Sequence, residues 1–377
     1  LKLVANAPDF KRYIGRSHEA EVALKSLPEG AQRESFPCTC APAHQNNFYT
    51  WYVPKTMIQD LIIIGGGPSG INVAISAKKA GLNYLILEKG MVSNSLFNFP
   101  VNMTFFSTSL KLEIHNIPFI SHRDKPTRSE ALEYYRRLIQ SQDLKISLYE
   151  EVRKMLRADD GIYTIETSKG QHQTRAICVA TGFYDTPVLM NVSGEELPKV
   201  KHYYDDPHAY INQNVLVVGA ANSACDAALE CYRKGANVTM AVRGKEISPR
   251  VKYWVKPDID NRIKEGSITA HFNTTITAIH ADRVDLQTPE GPLTIPNDFV
   301  LALTGYQPNY PLFEALGLTI GDDDACKPIF NPNTLEATLP NVYIAGVACA
   351  GLTTNKLFIE NTRDHGEIIT RDILSKR

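Results

Sequence analysis

Gly65-Gly66-Gly67-Pro68-Ser69-Gly70 follows the apolar run Leu61-Ile62-Ile63-Ile64 and precedes a stretch with helical periodicity. Glycines in that setting bring the backbone N–H groups of a helix N-terminus up to a phosphate. Gly65 permits the tight turn, Gly67 leaves room for a pyrophosphate, and Gly70 lets the helix pack closely on the strand. Pro68 and Ser69 complete the cradle. Ser69 stands at the helix start, where its hydroxyl and N–H can bond a phosphate or cap the turn. Glu88 ends the next strand, residues 84–87, about 20 residues further on, and can accept hydrogen bonds from ribose hydroxyls. Between them Val73, Ala74, Ala77 and Ala80 share one helix face, which Gly81 ends. GxGxxG alone says little; the complete strand–turn–helix–strand–acid unit is specific for a dinucleotide.

A second unit repeats the plan. A strand over residues 215–218 turns through Gly219-Ala220-Ala221-Asn222-Ser223-Ala224 into a helix expected over about 224–233, with Gly235 near its end. The next strand, 238–242, ends at Arg243 where an acid would otherwise stand. An acid would repel a 2′-phosphate, whereas Arg243 can pair with it, helped by Lys245 or Arg250, so this cradle is expected to prefer NADP to NAD. Alanine at 221 and 224 leaves this turn less room than the first. Three more strand ends carry glycine, in Thr181-Gly182, Thr304-Gly305 and Ala345-Gly346, and a final helix is expected over about 355–374. Glycine at a strand's carboxyl end allows close approach of a ligand or a neighbouring backbone.

The elements that must position these residues fit easily into 377 residues, enough for two domains with separate cores. The fold class is α/β, with two Rossmann-like dinucleotide-binding units. Forty Lys and Arg against 41 Asp and Glu give no bulk charge that points to nucleic acid or a membrane surface. No apolar run approaches the ~20 residues of a membrane span. Seven cysteines, scattered and odd in number, argue against a disulfide framework and for a reduced, cytoplasmic setting. No His, Cys or Asp cluster has metal-ligand spacing. Residues 1–56 show no sustained periodicity and no signal-peptide core, and are expected to lie outside the fold, with Met57 a natural start just before the first strand.

An acid-ended GxGxxG, then Ala-Thr-Gly, an Arg-ended second cradle, Thr-Gly, and Ala-Gly with a terminal helix resembles the flavoproteins with two dinucleotide-binding domains. The resemblance covers about residues 58–377 and implies FAD in the first cradle and NADPH in the second. It also implies an NADPH domain, 191–304, inserted into a discontinuous FAD domain, 57–190 and 305–377. The chain is similar to the smaller, thioredoxin-reductase-like branch but contains no CxxC. Cys225 and Cys231 flank one helix and read as core residues. The stretches NFPVNMTFFSTSLKLEI, SPRVKYWVKPDI, TGYQPN and AGVACAG…KLFIENTRDHG look like the bacillithiol-disulfide reductases, including Val347 where the wider superfamily usually has Asp.

That resemblance implies electron transfer from NADPH through FAD to a low-molecular-weight thiol disulfide, or to a small redox protein, in a chain that could also form a homo-oligomer. Family members often carry Cys where this chain has Ser69, so no catalytic residue is assigned; Cys349 is a weak candidate for a relocated nucleophile. Phe105, Phe106 and Tyr306 are candidates to lie near the redox rings. Three alternatives stay open: a ferredoxin- or flavodoxin-NADP reductase, a flavin monooxygenase (faintly, through Gly194 and His202), and a regulatory protein that binds both dinucleotides without catalysis.

Overall fold

Apolar residues 61–64 belong to β1, Gln59–Ile64, where Leu61, Ile62 and Ile63 are fully buried in the computed structural model of the protein. The structure describes residues 57–354 and 356–377, together with the backbone of Arg33–Ser35 and Thr50–Tyr52. Two units divide the chain, Leu1–Met57 and Ile58–Arg377. In the first, the two short strands pair antiparallel; the rest of the stretch expected to lie outside the fold, 1–56, is outside the described residues.

β1 lies between β2, Tyr84–Leu87, and β3, Gln171–Val179, with both pairings parallel. Burial on both faces explains the unbroken apolar run. The first half of β3 pairs antiparallel with Tyr163–Thr167, and its second half pairs in parallel with Val342–Ile344. This last pairing returns the end of the chain to the first sheet. A second sheet is parallel throughout, in the order Val200–Lys201, β6 (Phe299–Ala302), β4 (Asn214–Val218), β5 (Asn237–Val242) and Thr269–Phe272. Beside it stands an antiparallel triplet, Thr275–Ile279, Arg283–Thr288 and Gly291–Pro296. The segments linking these two larger sheets also pair with each other, Thr186–Pro187 against Tyr306–Gln307.

Helix α1, Pro68–Lys79, follows β1, and Gly81 at φ +71° leads the chain out of it. The Gly70 position touches the Gly65 carbonyl so closely that no side chain could stand there. α2, Arg128–Ser141, starts from a capping box made by Thr127 and Glu130. α3, Asn222–Arg233, begins two residues before the sequence pattern suggests, because Ala221 serves as its N-cap.

The terminal helix departs more from expectation. α4 spans His365–Ser375, so the helix expected from 355 starts ten residues late. Short polar side chains hold the missing part in turns. Phe358 N donates to Asn361 Oδ1 at 2.7 Å, Asn361 Nδ2 to Lys356 O at 2.9 Å, and Thr362 Oγ1 to Phe358 O at 2.9 Å. Such bonds offer the backbone an alternative to the helical ladder. α4 then packs tightly on α1, since a Cβ on Gly366 would lie 2.9 Å from Asn72 O.

Candidate functional site

One cavity of about 1450 Å³ is walled by both glycine turns. That exceeds the ~300–1,000 Å³ typical of a single small-molecule pocket. Gly65, Gly67, Pro68, Ser69, Glu88 and Gly182 line its first end, and Gly219, Ala221, Asn222, Ser223 and Arg243 its second.

At the first end Gly65 takes φ +113°, and a Cβ there would lie 2.5 Å from Ala180 O. Gly67 differs: a Cβ would meet nothing within 4 Å, so it would project into empty space at the α1 N-terminus. Glu88 is buried, its Oε2 accepting from Gly66 N at 2.6 Å and its Oε1 from Gly90 N at 2.7 Å. Burial pushes this carboxyl above the usual range, against the pull of the Gly90 and Gly66 N–H groups. Glu88 thereby stiffens the turn, and each oxygen keeps a further lone pair for a ribose hydroxyl. On the same wall, Ser93 Oγ, Thr181 Oγ1 and Glu360 Oε2 are buried without a protein partner. Buried polar atoms are rarely left unpaired. Three around an open glycine cradle fit a large polar ligand such as a flavin dinucleotide.

Ser69 does not cap α1: the N-cap is Gly67, with no side-chain cap. The serine hydroxyl instead packs so closely on Gly346 that a Cβ there would collide with it. Gly346 is off the cavity wall. Its N–H donates to Nδ1 of buried His365 at 3.0 Å, and burial lowers the basicity of that ring. Phe105, Phe106 and Tyr306 all reach the wall. Phe105 is buried, Phe106 stacks on Trp254 at 5.7 Å, and Tyr306 lies 4.1 Å from Tyr184 with its hydroxyl donating to His202 O. Gly194 packs on the Ile279 backbone and His202 faces Glu195 at 3.4 Å, both in the crossover between the sheets.

At the second end Gly219 takes φ +128°, and a Cβ there would lie 2.5 Å from Leu303 O and 3.2 Å from the Ala224 methyl. Exposed Arg243 follows β5, and Arg250 joins it on the wall, whereas exposed Lys245 lies off it. Sequence reasoning missed Lys252 and Asp226, which face this end and pair at 2.8 Å. No motif links them; Asn222 helps draw the 250–252 segment onto α3, Lys252 N donating to Asn222 Oδ1 at 2.8 Å.

Among the described residues every cysteine is a free thiol. Cys349 is buried off the cavity wall, its Sγ donating to Ile344 O at 3.4 Å, and burial pushes the thiol up to about 12. Burial likewise pushes Cys225 and Cys231 up to about 12. Nucleophilic chemistry needs the opposite shift. Among the described residues no group of three or more His, Cys, Asp or Glu could hold a metal ion, and no helix is long and apolar enough to cross a membrane.

Residues 62–346 match the pyridine nucleotide-disulphide oxidoreductase family. The chain is 42% identical over 322 residues to the bacilliredoxin reductase Bdr of Bacillus subtilis strain 168, covering 85% of this chain and 99% of that one. It superposes on the bacillithiol disulfide reductases Bdr (YpdA) of Staphylococcus aureus and Bacillus cereus with a TM-score of 0.82 in each case. Each match has 40% identity and covers 85% of this chain and all of the other. A thioredoxin reductase of Lactococcus lactis, at 18% identity, TM-score 0.67, and coverage of 84% of this chain and 98% of that one, shares the fold. The chain belongs to the pyridine nucleotide-disulphide oxidoreductases, and within them to the bacilliredoxin and bacillithiol disulfide reductase family.

Proposed function

We propose that the first cradle holds FAD and the second NADPH, and that the protein passes two electrons from NADPH to bacillithiol disulfide or to a small redox protein carrying that thiol. The observation behind this reading is the single cavity walled by two dinucleotide cradles, one ended by Glu88 and the other by Arg243. The overall change consumes NADPH, a proton and a disulfide, and yields NADP⁺ and two thiols. Bound together, the two cofactors supply the hydride and electron transfer. The names of the relatives give the acceptor class.

The chain's residues bind and orient. Gly67 and the α1 N-terminus admit the FAD pyrophosphate, Glu88 takes the ribose, and Ser93 and Thr181 offer their unpaired hydroxyls. Gly182 and Ser69 line the same end, with Gly346 packed behind the serine. In the second cradle Gly219, Ala221, Asn222 and Ser223 present the α3 N-terminus, and Arg243 takes the 2′-phosphate. The corresponding division is an FAD domain, 57–190 and 305–377, around an NADPH domain, 191–304. Ser69 has no thiol to exchange, and Cys349 is buried with a raised pKa. On this reading neither Ser69 nor Cys349 forms a covalent adduct with the acceptor.

One experiment tests the whole reading. The flavin-loaded protein is reduced anaerobically with NADPH and then offered bacillithiol disulfide, a bacilliredoxin mixed disulfide, ferredoxin or oxygen. Fastest reoxidation by either disulfide is expected, with mass spectrometry showing no adduct. Reoxidation by ferredoxin alone would favour the ferredoxin-NADP reductase reading, to which the missing cysteine at 69 lends support. A flavin that stays oxidised under excess NADPH would refute both.

A further inference from the structure

Lys252 is placed with unusual care for a lysine beside an open cavity. Its N–H donates to Asn222 Oδ1 at 2.8 Å, while Asn222 Nδ2 donates to Arg250 O at 3.5 Å. Asn222 opens α3, so these bonds lay the 250–252 segment across the N-terminus of that helix. The Lys252 side chain is 13% exposed, and its Nζ pairs with Asp226 at 2.8 Å. Both residues line the second end of the cavity.

Asp226 is out of place there by charge. It sits about one turn into α3, on the wall of a site whose glycine turn and helix N-terminus are built for phosphate. A bare carboxylate at that point would repel the ligand. Lys252 cancels it, and an ammonium has three donors, of which Asp226 engages one.

We propose that Lys252, held by Asp226 and Asn222, is the cation that reads the pyrophosphate common to NADP and NAD, while Arg243 reads the 2′-phosphate that distinguishes them. The inference rests on assigning the second cradle to a pyridine dinucleotide. Position separates the two roles. Lys252 is tied to the helix N-terminus, where the pyrophosphate docks in this kind of unit, and Arg243 follows the strand whose end meets the ribose. Asp226 keeps the long lysine side chain in place before the ligand arrives, which lowers the ordering cost of binding.

The test is calorimetric binding of NADP⁺ and NAD⁺ to the flavin-loaded protein, at low ionic strength, in single and double variants. Lys252→Met should weaken both ligands by about 10- to 100-fold and leave their ratio unchanged, as loss of a charge-assisted contact would. Arg243→Ala should weaken NADP⁺ alone. Lys252→Arg should retain most of the affinity. Part of the Lys252→Met loss is repulsion by an Asp226 carboxylate stripped of its lysine, so adding Asp226→Asn should recover several-fold for both ligands, a rescue that a purely structural lysine would not show. If Lys252→Met loses its flavin or its fold, Lys252→Gln is judged by the same measures.

Unchanged affinities in the lysine variant, a loss confined to NADP⁺, or no recovery in the double variant would each overturn the proposal. Failure of the unsubstituted protein to bind either dinucleotide would remove the assignment of the second cradle and the inference with it. Normal binding with an indifferent Lys252 would remove the inference alone.

Discussion

The two cradles share a plan and differ at each point that meets a ligand. In the first, Gly67 opens on empty space, and the strand after α1 ends in a buried acid already bonded to the turn. In the second, Ala221 occupies the N-cap position that Gly67 holds in the first, and β5 runs out into exposed Arg243. The first turn is therefore stiff and self-satisfied apart from unpaired hydroxyls on its wall. The second is finished by long cationic side chains that project from the segment after β5. A stiff, half-buried cradle suits a cofactor that stays, and a rim of exposed charge suits one that exchanges. On the proposed assignment, the glycine pattern marks where phosphate goes, while the residues around it decide which dinucleotide binds and for how long.

The largest effect should follow from closing the open point of the first cradle. Gly67→Val would place a branched side chain where the pyrophosphate approaches, and the purified protein should lose its flavin while its far-UV circular dichroism stays native. Normal flavin content in that variant would erase the difference between the cradles.

Next comes the charge at the second. Arg243→Ala should lower the preference for NADPH over NADH by about 10- to 150-fold, the worth of one charge-assisted contact. An unchanged ratio of the two kcat/KM values would move cofactor selectivity to Arg250, which stands exposed on the same wall.

Ser69 sharpens the comparison from the redox side. If its hydroxyl only packs on Gly346, Ser69→Ala should leave flavin content intact and turnover within about threefold. A collapse of turnover with full flavin content would give that hydroxyl a part in the chemistry.

The smallest effect concerns Glu88, whose carboxyl burial holds above the usual carboxylate range because it disfavours the charge. A raised pKa means that the fold binds this proton more tightly than the unfolded chain does. The associated stability is complete below the unfolded pKa and is lost as pH rises through the folded value. Glu88→Gln cannot ionise, so thermal melts of the flavin-free proteins should show the variant gaining on the parent as pH rises through that window. Parallel melting curves across the range would show that Glu88 titrates as an ordinary exposed acid.

Much of this was legible in the sequence, for identifiable reasons. Buried parallel strands must be apolar throughout, and Gly65 and Gly219 each hold a positive φ against a neighbouring strand's carbonyl, so both turns stand out as patterns. Glu88 and Arg243 are found by counting along the chain. Lys252 and Asp226 could not be found that way, since their pairing depends on how Asn222 gathers a distant segment. The terminal helix was over-extended because Asn361 and Thr362 bond their own backbone, a competition that composition alone does not reveal. Gly346 was expected to meet a ligand, whereas its tight contact is with Ser69, a meeting of two segments far apart along the chain.

The central claim is that one cavity serves two different dinucleotides at once. Its most direct test is a calorimetric titration of the flavin-loaded protein with NADP⁺, with bound flavin followed in the same sample. The account predicts one NADP⁺ per chain with every flavin retained, and a Gly67→Val protein that has lost its flavin yet still binds NADP⁺. Release of flavin in step with NADP⁺ uptake, or loss of NADP⁺ binding along with the flavin in Gly67→Val, would mean that the two ligands compete for one cradle, and would contradict it.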